Sequence, residues 1–273
     1  MALILKQLWT SYNWLMTDVT DSRTKDMLLA NVLTPLIISV VYHRLVYKWG
    51  PKFMEIRQPY NLRIMLIAYN LIQIVINVYC THISLKRVIV QNWKCAPVDY
   101  SNSPEALDEI HATKVYYFLK LLDLTDTVFF LLRKSYRQIT FLHTYHHIGM
   151  IWTPWIGLRF IPGGHGAWIS LINSFVHAMM YSYYLLTAID ERWKKNIEIK
   201  KFLTQMQIVI LITKLLNNDY IQFVLMVIIF GRPLLQRDCN YPHFVSYVWV
   251  TQNIFIGTLF IDFYRKSYLQ KKE

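Results

Sequence analysis

Seven apolar segments, each long enough to cross a lipid bilayer as a helix, constrain the fold of this chain more than any other feature. A bilayer core of about 30 Å requires about 20 apolar residues in a helix. The candidate helices cover residues 28–47, 64–83, 115–132, 139–158, 167–188, 203–230 and 244–264. Charged residues make up only 17% of the chain, whereas soluble domains carry about 25%. The sequence therefore predicts a single all-α membrane domain over residues 1–273.

The positive charge is distributed unequally between the two sides of these helices. The chain has 29 Lys and Arg against 17 Asp and Glu, a formal net charge of +12. Loops 48–63, 133–138 and 189–202 and the tail 265–273 hold 16 Lys and Arg in about 45 residues, and the opposite segments hold 10 in about 79. Because basic residues accumulate in cytosolic loops, we predict a lumenal N-terminus and a cytosolic C-terminus. This distribution disfavours a nucleic-acid-binding face.

Two of the three cysteines fall in loops on the predicted lumenal side. Cys95 lies between the second and third helices, and Cys239 lies between the sixth and seventh. Disulfides persist in oxidising compartments, so we expect a Cys95–Cys239 bridge that joins these two connections. Two unpaired thiols are the alternative. Cys80 lies inside a helix and is predicted to be a small core residue.

Three histidines occur together in the fourth segment, in the sequence HTYHH at 143–147. On a helix His143, His146 and His147 share one face, because they are spaced i, i+3 and i+4. Buried imidazole nitrogens need hydrogen-bond partners, so packing alone is a poor explanation for three of them. A diiron site would need several such histidine boxes. The other histidines are scattered along the chain, which favours an acid, base or nucleophile over a metal ligand.

Two neighbouring segments also carry polar residues at helical spacing. The members are Lys120, Asp123 and Asp126 in KLLDLTDT at 120–127, and Asn173, His177 and Tyr181 in NSFVHAMMYSYY at 173–184, with Gln207 in the sixth helix. Ionisable residues inside membrane helices face the protein interior and indicate functional sites. A structural ion pair and ordinary core hydrogen bonds are the alternatives. A polar chamber in an apolar bundle suits an acyl chain attached to a polar headgroup.

These motifs, in this order, resemble those of the ELO family of very-long-chain fatty-acid elongases, the membrane 3-ketoacyl-CoA synthases. The family's HxxHH is HTYHH at 143–147, its HxxMYxYY is HAMMYSYY at 177–184, and its KxxExxDT is KLLDLTDT at 120–127, with Asp123 at the usual Glu. DSRTKD at 21–26 and KWGPKFMEIRQPYNLR at 48–63 are also similar to family segments. Two positions depart from the pattern. Ile210 replaces the last Gln of TxxQxxQ, and Lys271 is the only lysine at the usual C-terminal dilysine place.

The resemblance implies seven transmembrane helices in the endoplasmic reticulum membrane, six of them forming a barrel around an acyl tunnel. It implies condensation of a long-chain acyl-CoA with malonyl-CoA to a 3-ketoacyl-CoA two carbons longer, with release of CO2 and CoA and without a bound cofactor or metal. His146 would be the nucleophile that forms an acyl-imidazole, or would act only as a base. The other implied residues are His143, His147 and His177 for positioning and proton transfer, and Lys120, Asp123, Asp126, Asn173, Tyr181 and Gln207 around the substrate.

The cytosolic loops supply candidates for binding the CoA phosphates, namely Lys134, Arg137, Lys194 and Lys195. Ordinary positive charge on the cytosolic side is the alternative for each of the four. Further expected partners are membrane lipid and the other fatty-acid elongation enzymes, and a homodimer is left open. Two other classes remain as rivals: a seven-helix receptor or lipid carrier, which would bind without condensing, and a histidine-box iron oxygenase.

Overall fold

In the computed structural model the chain is helical, with no strand in the described residues 1–208 and 221–269. The side chains of residues 2, 201, 204–208, 221–224, 268 and 269 are outside this description. The helices are α1 (Ala2–Thr17), α2 (Leu33–Arg44), α3 (Gly50–Met54), α4 (Arg63–Val90), α5 (Pro104–Asp123), α6 (Thr125–Leu132), α7 (Phe141–Phe160), α8 (Ala167–Ile189), α9 (Ile197–Ile208), α10 (Ile221–Leu235) and α11 (His243–Tyr264).

Two helices of the described part are long and apolar enough to cross a membrane. These are α4 and the continuous helix His243–Ser267 that contains α11. The 28 residues of α4 extend about 42 Å, which exceeds the hydrocarbon core of about 30 Å. Leu71, Val75 and Val78 on α4 are exposed, as expected for side chains that face lipid. The described part of the chain is thus all-α and has the character of a membrane protein.

The first predicted helix begins later than expected. It was predicted from residue 28, but α2 starts at Leu33. Leu29 has a φ of 69°, in the left-handed region that a helix cannot contain. The Asn31 side chain then accepts a hydrogen bond from the Leu33 N–H at 2.8 Å. These two local conformations separate residues 28–32 from the helix.

The third predicted helix, 115–132, is two helices in the structure. α5 begins eleven residues earlier, at Pro104, because the Ser103 side chain accepts from the Ala106 N–H at 3.2 Å and Pro104 occupies the first helical position. The first turns of α5 are polar, so hydropathy alone does not indicate that the helix starts there. A break at Leu124 separates α5 from α6.

The remaining predicted helices lie close to the expected positions. α4 extends the predicted helix 64–83 to Val90. α7, α8 and α11 begin and end within two residues of the bounds predicted for the fourth, fifth and seventh helices. The sixth, predicted over 203–230, corresponds to α9 and α10, and residues 209–220 lie outside the described part.

Contacts between the helices follow a closed circuit in the described part of the chain. α4 packs most extensively on α8, and the contacts continue from α8 to α9, α10, α11, α7 and α5, and from α5 back to α4. α2 packs on α7 from outside this circuit. The side chains of α4, α5, α7, α8 and α11 can therefore point toward a common interior.

At one end of the helices the connections are joined covalently. Cys95 and Cys239 form the predicted disulfide, with an S–S distance of 2.05 Å. Beside the disulfide, the backbone N–H of His165 donates to the Ala96 carbonyl at 2.8 Å. The His165 ring Nε2 lies 2.8 Å from the Ile229 carbonyl. Burial lowers the pKa of the His165 imidazole although this second bond opposes the shift. A neutral ring that donates from Nε2 is a structural histidine.

The connections after α3, α6 and α8 meet at the opposite end. The N–H of Tyr60 donates to the Leu132 carbonyl at 3.0 Å. The Arg63 guanidinium donates through Nη2 to the Ile189 carbonyl at 2.6 Å. The basic loops that the charge count assigns to one side therefore lie together.

Candidate active site

The three histidines of HTYHH occupy the first two turns of α7, close to the end that carries the basic loops. Thr140 caps this helix, and its hydroxyl accepts from the His143 N–H at 3.2 Å. The imidazole centroids of His143 and His147 are 4.2 Å apart, and those of His146 and His147 are 5.7 Å apart. The helical spacing thus brings the three rings into one cluster, as the sequence predicts.

A hydroxyl chain from outside the helix circuit fixes one of these rings. The Thr127 Oγ1 on α6 lies 2.8 Å from His143 Nε2 and 2.9 Å from the Tyr42 hydroxyl on α2. Thr127 and Tyr42 are buried, so their polar groups rely on this chain. α2 therefore contributes to the site although it lies outside the circuit. Tyr42 was not among the residues predicted from the sequence.

A buried ion pair lies on α5. Lys120 Nζ is 2.9 Å from Asp123 Oδ2, and their side chains are 0% and 3% exposed. His177 Nδ1 on α8 lies 3.4 Å from the same oxygen. This Nδ1 atom is buried and makes no hydrogen bond in the described structure. Since catalytic hydrogen bonds often tighten only when substrate binds, this short approach places His177 where Asp123 can orient it.

Polar residues on α4 complete the shell around Asp123. Gln73 Nε2 donates to Asp123 Oδ1 at 2.9 Å and to the Tyr69 hydroxyl at 2.8 Å. Asn77 Nδ2 donates to Gln73 Oε1 at 3.1 Å. The sequence prediction missed these residues because the whole segment was assigned to a lipid-spanning helix. The available signal was the recurrence of buried polar side chains at 70, 73, 77 and 84, which is helical spacing.

The remaining predicted polar residues make cross-helix hydrogen bonds around this pair. The Tyr181 hydroxyl donates to Asp126 Oδ2 at 2.6 Å, and the Tyr116 hydroxyl donates to Asn173 Oδ1 at 3.1 Å. The ring of Tyr116 also lies 5.1 Å from Lys120 Nζ, in a cation–π contact. Asp126, Asn173 and Tyr181 thus lie around the ion pair, and their role in holding the substrate stays a prediction.

The histidine cluster and the ion pair belong to one site. His146 interacts electrostatically with Lys120 and Asp123, and His177 interacts with His146. These four residues come from α5, α7 and α8. Among the described residues no group of three or more His, Cys, Asp or Glu side chains is arranged to hold a metal ion. The arrangement provides imidazoles, one cation and one carboxylate in a dry interior, which suits nucleophilic and acid–base chemistry.

A largely apolar cavity of about 170 Å³ has Tyr116, whose ring contacts Lys120, in its lining. It extends from Tyr116 toward the disulfide-linked end, between α4, α5, α7, α8 and α11. Its lining includes Gly157, Ser170, Val248 and Trp249. At Gly157 an added Cβ would meet only the Thr113 methyl, at 3.8 Å. A polar site at one end of an apolar cavity matches a substrate with a reactive head and a hydrocarbon tail.

Comparison of the sequence with known proteins assigns the chain to a family. The model of the ELO, or GNS1/SUR4, family matches residues 27–273. The chain belongs to the ELO family. It is 38% identical to a very long chain fatty acid elongase of Aedes aegypti over 100% of this chain and 73% of the relative, and 34% identical to very long chain fatty acid elongase 7 of Drosophila melanogaster, over 98% and 78%. Very long chain fatty acid elongase 1 of Homo sapiens is 35% identical over 88% and 82%.

The other predicted residues of this ELO chain lie outside the described part of the structure or in the basic loops. The side chain of Gln207 and residue Ile210 lie outside the described part of the structure. Lys134, Arg137, Lys194 and Lys195 lie in the basic loops, where Lys194 pairs with Glu191 at 2.5 Å. Arg63 and Arg133, which the sequence prediction did not single out, also interact with Glu191. A basic surface therefore exists near the histidine end, and CoA binding by its members stays a prediction.

Replacing Lys120 by Met should destabilise the protein strongly, since Asp123 would remain buried without its cation. Breaking a buried pair in this way costs about 3–5 kcal/mol. The double variant Lys120→Met, Asp123→Asn should recover most of the loss, because neither side chain then carries a charge. Thermal unfolding of the purified protein in lipid-containing detergent measures both. A Lys120→Met variant that unfolds with the wild-type midpoint would contradict the described pair.

Proposed function

We propose that this chain is a 3-ketoacyl-CoA synthase of fatty-acid elongation. The observation that carries the proposal is the buried Lys120–Asp123 pair with His177 Nδ1 at 3.4 Å, within electrostatic reach of His146 and linked through Tyr116 to a largely apolar cavity. The ELO membership and the elongase names of the relatives support it. Long-chain acyl-CoA and malonyl-CoA are the substrates. The products are a 3-ketoacyl-CoA two carbons longer, CO2 and CoA.

The proposed architecture is a seven-helix protein of the endoplasmic reticulum membrane, in which six helices form a barrel around the acyl chain. The closed circuit of helix contacts and the gathering of loops at two opposite ends support it. The density of basic residues supports a lumenal N-terminus and a cytosolic C-terminus. The disulfide then lies on the oxidising side. Membrane lipid surrounds the helices, and the later elongation enzymes are the expected partners.

In the first half-reaction the His146 imidazole attacks the thioester carbon of the acyl-CoA. The carbon–sulfur bond breaks with its electrons on sulfur, and the CoA thiolate takes up the proton that the imidazole loses. His147, whose ring adjoins that of His146, and His143, whose ring adjoins that of His147, relay that proton. The hydrogen bond between Thr127 Oγ1 and His143 Nε2 holds the His143 ring in one orientation. The product is an acyl-imidazole with its hydrocarbon tail in the apolar cavity.

In the second half-reaction malonyl-CoA loses CO2, and the resulting enolate attacks the acyl carbon. The new carbon–carbon bond forms as the carbon–nitrogen bond to His146 breaks, and His146 recovers a proton from solvent. Lys120 and His177 stabilise the negative charge of the enolate oxygen, because fixed charges and dipoles act strongly in a water-excluded site. Asp123, Asp126, Asn173, Tyr181 and Gln207 position these groups. Basic side chains of the cytosolic loops, including Lys134, Arg137, Lys194 and Lys195, bind the CoA phosphates.

Substituting His146 by Ala should abolish condensation, because no nucleophile then accepts the acyl group. We expect the rate of radiolabelled malonyl-CoA incorporation to fall at least about a thousandfold, in the range measured for loss of a nucleophile. His111→Gln is the matched control, since His111 is exposed on α5 and should retain the wild-type rate. Normal condensation by the His146→Ala variant would refute the assigned role.

Substituting Gly157 by Leu should shorten the acyl chains that the protein elongates. The backbone tolerates a Cβ there, and the remaining atoms of Leu would project into the cavity. Given a panel of acyl-CoAs, the variant should favour substrates shorter by about one elongation step or more, as read by mass spectrometry of the products.

Gly231→Leu is the control for this substitution, since Gly231 also has open space around it and does not line the cavity. An unchanged product distribution for Gly157→Leu would show that the acyl chain lies elsewhere.

A further inference from the structure

The two carboxylate oxygens of Asp123 have separate sets of partners. Oδ2 faces Lys120 Nζ at 2.9 Å and His177 Nδ1 at 3.4 Å. Oδ1 faces Gln73 Nε2 at 2.9 Å and the Tyr181 hydroxyl at 3.4 Å. The first set contains the groups that the proposed chemistry uses. The second set holds the carboxylate from the opposite side.

We propose that Gln73 is a positioning residue of the condensation reaction, matched to the short side chain of Asp123. It holds the carboxylate so that Oδ2 stays directed at Lys120 and His177. The inference rests on the proposed function and adds a residue of α4 to it. It does not require Gln73 to touch either substrate.

The hydrogen bonds of Gln73 determine the orientation of its amide. An ionised carboxylate only accepts hydrogen bonds, so the amide must present Nε2 to Asp123. Nε2 also donates to Tyr69, and Oε1 accepts from Asn77. Gln73 is 0% exposed. A fully buried amide with every polar atom engaged has a single defined position.

The length of the acid at position 123 explains why an amide is needed there. The ELO pattern has Glu at this position, and Asp is shorter by one methylene group. α4 and α5 are in direct contact, so a side chain of α4 can fill the space that a shorter acid leaves in a close-packed interior. Gln73 reaches across this helix contact to Oδ1.

Loss of the Gln73 amide should affect chemistry more than binding. The terminal torsion of Asp has a broad energy profile, so without its anchor the carboxylate rotates away from His177. The cavity for the acyl chain does not include Gln73, and apolar binding of the tail should be unchanged. The expected signature is a fall in kcat with little change in KM.

The test is a double-mutant cycle with Gln73→Leu and Asp123→Glu, measured as kcat and KM for malonyl-CoA incorporation. Gln73→Leu should lower kcat at least about tenfold, since small misplacements of reacting groups cost up to about a hundredfold. Asp123→Glu alone should also lower kcat, because the added methylene is overpacked against Gln73. The double variant should have a higher kcat than either single variant, because the longer acid fills the space that Leu leaves.

Asn70→Leu is the matched control. It removes another buried amide from α4, one that makes no hydrogen bond to Asp123 in the described structure, and it should keep the wild-type kcat. Each variant is first compared with wild type by gel filtration and thermal unfolding. If Gln73→Leu is poorly folded, Gln73→Met replaces it in the same cycle.

The outcomes separate this inference from the function on which it rests. Wild-type protein without condensation activity would refute the proposed function itself. Active wild type combined with a normal kcat for Gln73→Leu would refute the positioning role. The positioning role would also be refuted if the fold-decrease in kcat of the double variant equalled the product of the two single decreases. An Asn70→Leu variant that lost as much kcat as Gln73→Leu would refute it too.

Discussion

The ion pair between Lys120 and Asp123 is the interaction on which the rest of the site depends. Two charges at 0% and 3% exposure lose a large hydration energy, which their mutual attraction repays only with good geometry and further hydrogen bonds. The surrounding helices supply those bonds from Gln73 and Tyr181. The pair thereby determines which faces of α4 and α8 must point inward. The same requirement brings His177 beside the carboxylate and explains why the informative residues are the few polar ones in an apolar chain.

The interior holds a cluster of histidines and an ion pair at one level and a largely apolar cavity beyond Tyr116, and this arrangement connects the fold to the proposed reaction. The histidines occupy the first turns of α7, near the basic loops, and the apolar cavity continues toward the disulfide-linked end. A CoA thioester with its phosphates at the basic end would place its carbonyl near His146 and its tail in the cavity. The disulfide and the buried His165 tie the far connections together, so that end of the bundle is held by covalent and hydrogen bonds.

The sequence predicted the parts of the site that local spacing controls. His143, His146 and His147 share a helix face by their spacing alone, and the disulfide followed from sorting the loops by charge. The contributions of Tyr42 and Gln73 depend on which helices are neighbours, and that is decided by packing over the whole bundle. The start of α5 depended on a Ser103 cap in a polar stretch. The late start of α2 at Leu33 depended on the left-handed backbone of Leu29, which the apolar side chain of a leucine does not reveal.

The acyl-imidazole can be measured directly with purified protein and a long-chain acyl-CoA, without malonyl-CoA. An acylated His146 should appear as release of about one free CoA per active site and a matching acyl mass increase that peptide mapping locates on His146. Subsequent malonyl-CoA should discharge that mass as 3-ketoacyl-CoA. Condensation that proceeds with no CoA release in the first step and no acylated histidine would contradict the acyl-imidazole and leave His146 as a base.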